Sequence, residues 1–153
     1  MRILEDFKFY RKESLSKSVF AVLINPCFHC LLLYRVSHML YRNKLTIIAK
    51  CIWFINRIIY NVDIDYRSII GKNVIIIHGI GIVIGHKVII EDNVKIYQGV
   101  TLGGNNNKNI IYNGEEITQP IIKSGSILSP NSMIFGPIIV KENSFIKAGE
   151  IVS

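Results

Sequence analysis

Few residues in this sequence could do chemistry, and His78 is the most conspicuous of them. It interrupts a stretch from residue 63 to residue 104 whose other positions are mostly aliphatic, small or turn-forming. An imidazole titrates near neutral pH and can take the proton of a hydroxyl group, which is a poor nucleophile on its own. A histidine packed into a regular scaffold is the alternative, so this residue alone does not decide whether His78 is a catalyst.

Three cysteines, Cys27, Cys30 and Cys51, form the other reactive group. The "CFHC" spacing at residues 27–30 suits a redox motif or half of a zinc site, but no second pair follows it. The surrounding run is apolar, which favours cysteines that pack as small hydrophobic side chains. An odd cysteine count without a signal peptide predicts a reduced, cytoplasmic chain.

The element that must position His78 is a six-residue repeat of apolar positions. Thirteen positions are in register, with a lapse over residues 105–120: Ile64, Ile70, Ile76, Ile82, Val88, Val94, Val100, Ile121, Ile127, Met133, Ile139, Phe145 and Ile151. Such a repeat fits short strands joined by tight turns, three to a coil, with each register side chain stacked on the one eighteen residues later, about 4.8 Å away. The sequence therefore predicts a mainly β fold, a parallel β-helix of about four coils over residues 63–153 with an extruded irregular loop at 105–120.

Residues 1–62 have helical periodicity instead and form a predicted N-terminal helical region. We expect a short amphipathic helix at residues 14–24, a buried helix at 28–41 after the turn at Asn25–Pro26, and a third helix at 45–60. Lys50 and Arg57 interrupt the third helix, so its apolar run is shorter than the roughly 20 residues of a membrane span. A core or interface helix is favoured over one lying on an anionic bilayer.

The net charge of +7 resides in this helical region, which has ten Lys/Arg and three Asp/Glu, whereas residues 63–153 have eight of each. A basic segment can serve nucleic acid, an anionic membrane surface or acidic ligands, and composition alone does not choose among them. We expect no nucleic-acid partner, and peripheral membrane contact through the basic helices stays open.

Three stretches of the chain resemble the serine O-acetyltransferase family of hexapeptide-repeat acyltransferases. They are "FHCLLLYRVSHMLY" at residues 28–41, the blocks "VDI", "HGIGIVIG" and "QGVTLGG" within 62–104, and "QPIIKSGSIL…GPIIV" from residue 119. The resemblance implies a left-handed coil, an acetyl-CoA-dependent O-acetyltransferase, and a homotrimer with active sites between subunits. The family's longer N-terminal region supports higher assembly of trimers, so a hexamer is left open here.

By this resemblance, Asp63 and His78 correspond to the family's catalytic pair. They are fifteen residues apart, three short of one coil, which puts them on successive levels near the same corner. Asp63 would then hold one ring nitrogen of the imidazole and leave the other free as the general base. Asp65, two residues further on, is a rival partner for the imidazole.

The resemblance also suggests ligand-binding residues. In the family, coenzyme A lies along the groove between neighbouring subunits, and Gly104, Ser129 and Lys147 are the candidates by position. His86 and Gln119 are candidates for contact with the acceptor, although an exposed corner role is the alternative for His86.

Two further histidines, His29 and His38, match family histidines of the helical segment. We expect them to pack or to form hydrogen bonds.

The identity of the acceptor is argued from departures from the family pattern. The family's acid before the catalytic histidine is Ile77 here, its N-terminal acid corresponds roughly to Lys12, and its histidine before the proline is Gln119. The ammonium group of an amino acid needs anionic partners, and leaving it unpaired in a desolvated site costs about 2–5 kcal/mol. We therefore expect a sugar of a surface polysaccharide or its precursor as the acceptor, with L-serine as the alternative.

Two other functions stay open at this stage. A zinc enzyme of the γ-carbonic-anhydrase type on the same coil needs three histidine ligands, and the repeat offers only His78 and His86, so no metal is expected. A non-catalytic β-helical scaffold, docked through the basic helices, would bind no coenzyme A.

Overall fold

The computed structural model describes residues 2–13, 17–106 and 108–153, and its first part is helical. The helices are α1 (Arg2–Glu13), α2 (Val19–Leu23), α3 (Pro26–Arg42) and α4 (Thr46–Tyr60). The helices expected at 28–41 and 45–60 are confirmed as α3 and α4. Helix α2 covers the later part of the helix expected at 14–24, whose residues 14–16 lie outside the described residues. The sequence did not predict α1.

Asparagine residues mark where α3 begins and where α4 ends. The side-chain oxygen of Asn25 accepts the backbone N–H groups of Cys27 at 2.8 Å and Phe28 at 3.3 Å, and Pro26 occupies the first turn of α3. These contacts satisfy amide groups that a helix start leaves without a partner. Helix α4 ends at Asn61, whose φ of +52° is in the left-handed region that asparagine tolerates. The chain therefore turns directly from α4 into the first strand.

Within the described ranges, thirteen strands of two or three residues build a parallel β-helix with three sheets. Sheet A contains β1 (Asp63–Ile64), β4 (Val83–Ile84), β7 (Thr101–Gly103), β12 (Met133–Phe135) and β15 (Ile151–Val152). Sheet B contains β2 (Ile69–Ile70), β5 (Ile89–Ile90), β10 (Ile121–Ile122) and β13 (Ile139–Val140). Sheet C contains β3 (Ile75–Ile76), β6 (Lys95–Ile96), β11 (Ile127–Leu128) and β14 (Phe145–Ile146).

Aliphatic side chains stacked along the axis of the coil form its core. The second residue of each strand points inward, and twelve of these are buried: Ile64, Ile70, Ile76, Ile84, Ile90, Ile96, Leu102, Ile122, Leu128, Ile134, Val140 and Ile146. The residue two positions earlier also points inward, for example Ile82 and Val88. Each such side chain contributes roughly 1.5–3 kcal/mol on burial, so the column is the main source of stability of the coil.

The expectation that every register position points inward is wrong after the loop. Phe145 and Ile151 are 63% and 65% exposed, because the inward positions of that block are one residue later. The first coil is also longer than eighteen residues: Asp63 pairs with Val83, twenty residues on, whereas Val83 and Thr101 are the expected eighteen apart. The two extra residues lie at the corner between β3 and β4, which carries His78.

The stretch at 105–120, of which Asn107 lies outside the described residues, was expected to be irregular but contains a hairpin. Strands β8 (Ile110–Tyr112) and β9 (Glu115–Ile117) pair antiparallel around Asn113 and Gly114, whose φ values are +52° and +81°. Positive φ at both central residues is typical of a type I′ turn, for which Asn-Gly is preferred.

A buried ion pair fastens the helices to the coil. Arg35 of α3 donates to the carboxylate of Asp6 in α1 at 2.8 Å and, through its other nitrogens, to the backbone oxygens of Ile70 and Gly71 at 2.5 and 2.6 Å. Both side chains of the pair are almost fully buried. One guanidinium group therefore joins two helices to the corner after β2.

None of the helices in the described parts of the chain is both long and apolar enough to cross a membrane.

We expect Arg35→Met to lower the free energy of unfolding by about 3–5 kcal/mol, because it removes the buried guanidinium group that binds the Asp6 carboxylate and two backbone oxygens. Urea denaturation monitored by circular dichroism measures the change. The exposed Arg42, replaced by Met in the same helix, is the control and should change the value by no more than about 0.5 kcal/mol. Equal effects of the two substitutions would contradict the role given to Arg35.

Candidate active site

The corner after β3 presents His78 to solvent. His78 has a φ of +54°, and its backbone oxygen accepts the N–H of Ile80 at 2.7 Å, so the backbone turns sharply here. Its side chain is exposed. The N–H of Gly81 donates to the oxygen of Asn61 at 2.9 Å, which ties this corner to the end of α4. An exposed imidazole on a corner fixed by backbone hydrogen bonds is available to act as a base.

Asp63 begins β1 at the same corner, but its carboxylate is bound to helix α4. One oxygen accepts the indole N–H of Trp53 at 2.9 Å, and the other lies 3.2 Å from a guanidinium nitrogen of Arg57. Within the described residues, no hydrogen bond joins Asp63 to His78. The orientation of the imidazole by Asp63 therefore stays a prediction.

Asp65, the rival partner, is bound to Arg67. The guanidinium donates to both carboxylate oxygens, at 2.9 and 2.7 Å, and the backbone N–H of Arg67 donates as well. Partial burial acts to raise the pKa of Asp65, but the hydrogen bonds and charge of Arg67 outweigh it and hold the pKa below its usual value. This carboxylate is already neutralised at the opposite end of β1.

Two of the predicted cofactor-binding residues lie on the same corner as His78. Backbone hydrogen bonds run from Ile77 to β6, from Tyr97 to β11 and from Ser129 to β14, so these residues form one column that ends at Lys147. Ser129 is buried, whereas Lys147 is exposed at the end of the column. The structure thus brings Ser129 and Lys147 to the side of the coil that carries His78.

The other predicted site residues lie at the corner between sheets A and B. His86, Gly104 and Gln119 line a cavity of about 570 Å³, which the hairpin segment borders with Asn109 and Glu116. Gln119 is 8% exposed and packs against Gly104, where an added Cβ would lie 2.8 Å from its amide nitrogen. Its side-chain oxygen is buried with no hydrogen-bond partner in the described residues. Gly104 is therefore near the acceptor candidates, away from Ser129 and Lys147.

Sequence reasoning missed three residues of this geometry. Trp53 and Arg57 are four residues apart, so they lie on the same face of α4, and the helix ends close to Asp63. This spacing could have indicated that both side chains reach the Asp63 carboxylate. Glu116 brings a carboxylate into the cavity with His86 and Gln119, where it accepts a hydrogen bond from Asn109. Nothing in the sequence places Glu116 there, because its position depends on the pairing of the hairpin.

Cysteines of α3 pack against the His78 corner. The backbone N–H of Gly79 donates to the sulfur of Cys27 at 3.2 Å, and an added Cβ on Gly79 would lie 3.6 Å from the sulfurs of both Cys27 and Cys30. Cys30 is fully buried, and burial raises the pKa of its thiol. All three cysteines are free. The packing role expected of the pair is confirmed, with an added hydrogen bond beside His78.

The helical histidines have the hydrogen-bonding role expected of them. A ring nitrogen of His29 lies 2.6 Å from the oxygen of Leu23, and one of His38 lies 2.9 Å from the oxygen of Tyr66. The described residues contain no group of three or more His, Cys, Asp or Glu side chains able to hold a metal ion.

Comparison with known proteins finds the same architecture in solved structures. The chain superposes on serine acetyltransferase from Brucella abortus strain S19 in complex with coenzyme A with a TM-score of 0.84 and 25% identity, covering 99% of this chain and 60% of the other. The mainly β fold expected from the sequence, a left-handed parallel β-helix preceded by helices, is confirmed. The class is that of the hexapeptide-repeat acyltransferases.

Sequence comparison then gives the family. The chain is 32% identical over 149 residues to the serine acetyltransferase of Synechococcus elongatus, covering 96% of this chain and 59% of that protein. It is 31% identical over 153 residues to that of Staphylococcus epidermidis, covering 99% of this chain and 69% of the relative. The chain belongs to the serine acetyltransferase family. It spans about three fifths of the length of the first of these relatives, and no family model matches it.

We expect Cys27→Ala to lower the free energy of unfolding by about 1–2 kcal/mol, because the N–H of Gly79 loses its acceptor. Cys27→Ser keeps an acceptor and should recover part of the loss. Chemical denaturation measures both, with Cys51→Ala, an exposed cysteine of α4, as the matched control. A Cys27→Ala variant as stable as the control would show that this contact contributes nothing.

Proposed function

We propose that the chain is an acyltransferase that moves an acetyl group from acetyl-CoA to a hydroxyl acceptor, with His78 as the general base and Asp63 as its partner. One observation carries the proposal: the exposed side chain of His78, on an inserted corner of a chain that belongs to the serine acetyltransferase family. The chemistry that fits such a base is removal of a proton from a hydroxyl group near pH 7.

In the proposed reaction one base, His78, moves the proton, and Asp63 stabilises the charge that the base acquires. Neutral His78 takes the proton of the acceptor hydroxyl while the oxygen attacks the carbonyl carbon of the thioester. The new C–O bond forms, the C–S bond breaks, and the imidazolium returns the proton to the leaving sulfur of coenzyme A. The negative charge of Asp63 at the same corner lowers the free energy of the transient imidazolium.

The column of residues that runs from Ile77 to Lys147 beside His78 is proposed to bind the acyl donor. The superposed enzyme from Brucella abortus is a complex with coenzyme A, which supports this donor class. Lys147 offers an exposed ammonium group to a phosphate. Ser129, which is buried on the same side of the coil, stays a predicted contact of the donor. Gly104, at the other edge of sheet A, stays a predicted contact of the donor.

L-serine is the acceptor that the comparisons favour. The sequence alone favours a sugar, because Ile77 and Gln119 stand where the family resemblance places residues that bind an amino acid. The names of the relatives give no support to a sugar, since both are serine acetyltransferases. We therefore propose L-serine as the acceptor.

Glu116 supplies the anionic partner that the ammonium group of an amino acid needs. It lies in the cavity with His86 and Gln119, and its carboxylate is available to an ammonium group. Gln119 lines the same cavity. The carboxylate of Glu116 favours a ligand that donates hydrogen bonds.

A trimer is proposed because the two groups of site residues lie at opposite edges of sheet A. His78 precedes β4 and the Glu116 cavity follows β4 and β7, which separates them by roughly 10 Å or more of extended chain. One small acceptor cannot contact both in a single copy. In a ring of copies, the cavity edge of one chain faces the His78 edge of its neighbour, which is a heterologous interface that closes.

The base is tested with His78→Asn, because asparagine tolerates the left-handed backbone at this position and alanine does not. We expect kcat for acetyl transfer to fall by about 10²–10⁴-fold with the circular dichroism spectrum unchanged. Release of the coenzyme A thiol gives the rate, and the exposed Lys141→Ala is the control. A His78→Asn variant with the activity of the control would exclude His78 as the base.

The acceptor is tested with Glu116→Gln, which keeps the shape of the side chain and removes its charge. We expect KM for L-serine to rise about tenfold or more, equivalent to about 1.4 kcal/mol of lost binding, with a smaller change in kcat. The neighbouring Glu115→Gln serves as the control. Parallel assays of L-serine and a panel of sugars and nucleotide sugars complete the test, and turnover of a sugar in preference to L-serine would refute the acceptor proposed here.

A further inference from the structure

Two side chains of helix α4 bind the carboxylate of Asp63. Trp53 and Arg57 are four residues apart, so they lie on one face of the helix. The indole N–H of Trp53 donates to one carboxylate oxygen at 2.9 Å, and a guanidinium nitrogen of Arg57 lies 3.2 Å from the other. The guanidinium carbon is 5.8 Å from the centre of the Trp53 ring. These two side chains form what we call the Asp63 clamp.

The clamp is built on a helix that cannot shift freely. Asn56, on the turn between Trp53 and Arg57, donates to the oxygen of Cys30 at 3.0 Å, and Ser37 donates to the oxygen of Ala49 at 2.7 Å. Both hydrogen bonds are buried and join α4 to α3. Helix α4 also ends only three residues before Asp63, so the chain that joins the helix to the carboxylate it binds is short.

We infer that Trp53 and Arg57 are positioning residues that set the orientation of the Asp63 carboxylate before the reaction begins. This inference rests on the function proposed above. A carboxylate has about four lone-pair sites, and the clamp uses two of them, so the remaining sites are available to the imidazolium of His78. A group held in place ahead of the reaction loses less freedom when the transition state forms.

A purely structural role of the clamp would affect stability and not kcat. The side chains of Arg57 and Asp63 are 56% and 29% exposed, and ion pairs open to solvent contribute little to stability. Loss of the clamp should therefore leave the unfolding transition nearly unchanged while it lowers kcat. A structural role would show the reverse, with lost stability and unchanged kcat in the folded fraction.

The experiment is a double-mutant cycle on the full chain. Trp53→Phe removes the N–H and keeps a ring, and Arg57→Gln removes the charge; each is made alone and together with Asp63→Asn. We expect each to lower kcat by about tenfold or more when Asp63 is present, with KM for acetyl-CoA within about twofold, and to have no further effect in a chain that already carries Asp63→Asn. Arg57→Lys should restore part of the rate, and Lys50→Gln, one turn earlier and exposed, is the control.

An independent signal reports the hydrogen bond itself. Trp53 is the only tryptophan of the chain, so its indole N–H gives a single resonance in an NMR spectrum. Asp63→Asn should shift that resonance and speed the exchange of its proton with solvent, whereas Lys50→Gln should leave it in place.

The outcomes separate the inference from the function on which it rests. Full kcat in Trp53→Phe and Arg57→Gln, or equal losses with and without Asp63→Asn, would overturn the clamp while acetyl transfer by the wild type upholds the proposed function. A wild-type chain that transfers no acetyl group overturns the proposed function and the catalytic meaning of the clamp together.

Discussion

The constraint on which the rest of the structure depends is the closed column of aliphatic side chains inside the coil. Each coil is hydrogen-bonded to the next at the strand spacing of about 4.8 Å. Every corner residue therefore has a fixed position along the axis of the coil. Extra residues would disrupt the pairing of the strands, so insertions are accommodated only at the corners. Two residues are inserted at the corner of His78, and fourteen are inserted between β7 and β10, so that β5 and β10 pair across thirty-two residues instead of eighteen. Both insertions carry residues of the candidate site.

The helical region supplies the contacts that the coil cannot make for itself. Arg35 joins α1 and α3 to the corner after β2, and Cys27 accepts the N–H of Gly79 beside His78. Helix α4 binds the carboxylate of Asp63. The coil thus sets the positions of Asp63 and His78 along its axis. The helices supply the hydrogen bonds and the ion pair that fix the Asp63 side chain and the backbone beside His78.

Much of the fold was predictable from the sequence, because a six-residue period and a helical period each have a direct structural meaning. The phase after the loop was not, because the outward position just before each inward one is also apolar there, as Phe145 before Ile146 illustrates, and the sequence pattern does not distinguish the two series. The hairpin was missed although Asn113-Gly114 is a strong hairpin signal. The contacts of Trp53 and Glu116 depend on how distant elements pack, and no local pattern specifies them.

The central claim is that one active site combines His78 of one copy with the cavity of its neighbour. It is tested most directly by acetyl transfer in a mixture of two inactive variants, His78→Asn and Glu116→Lys, assembled together from unfolded chains in equal amounts. In a closed ring, about a quarter of the interfaces then have both sites intact, so the account predicts about a quarter of the wild-type rate from two chains that are inactive alone. A mixture as inactive as its components would contradict the claim, because each chain would then have to build its site by itself.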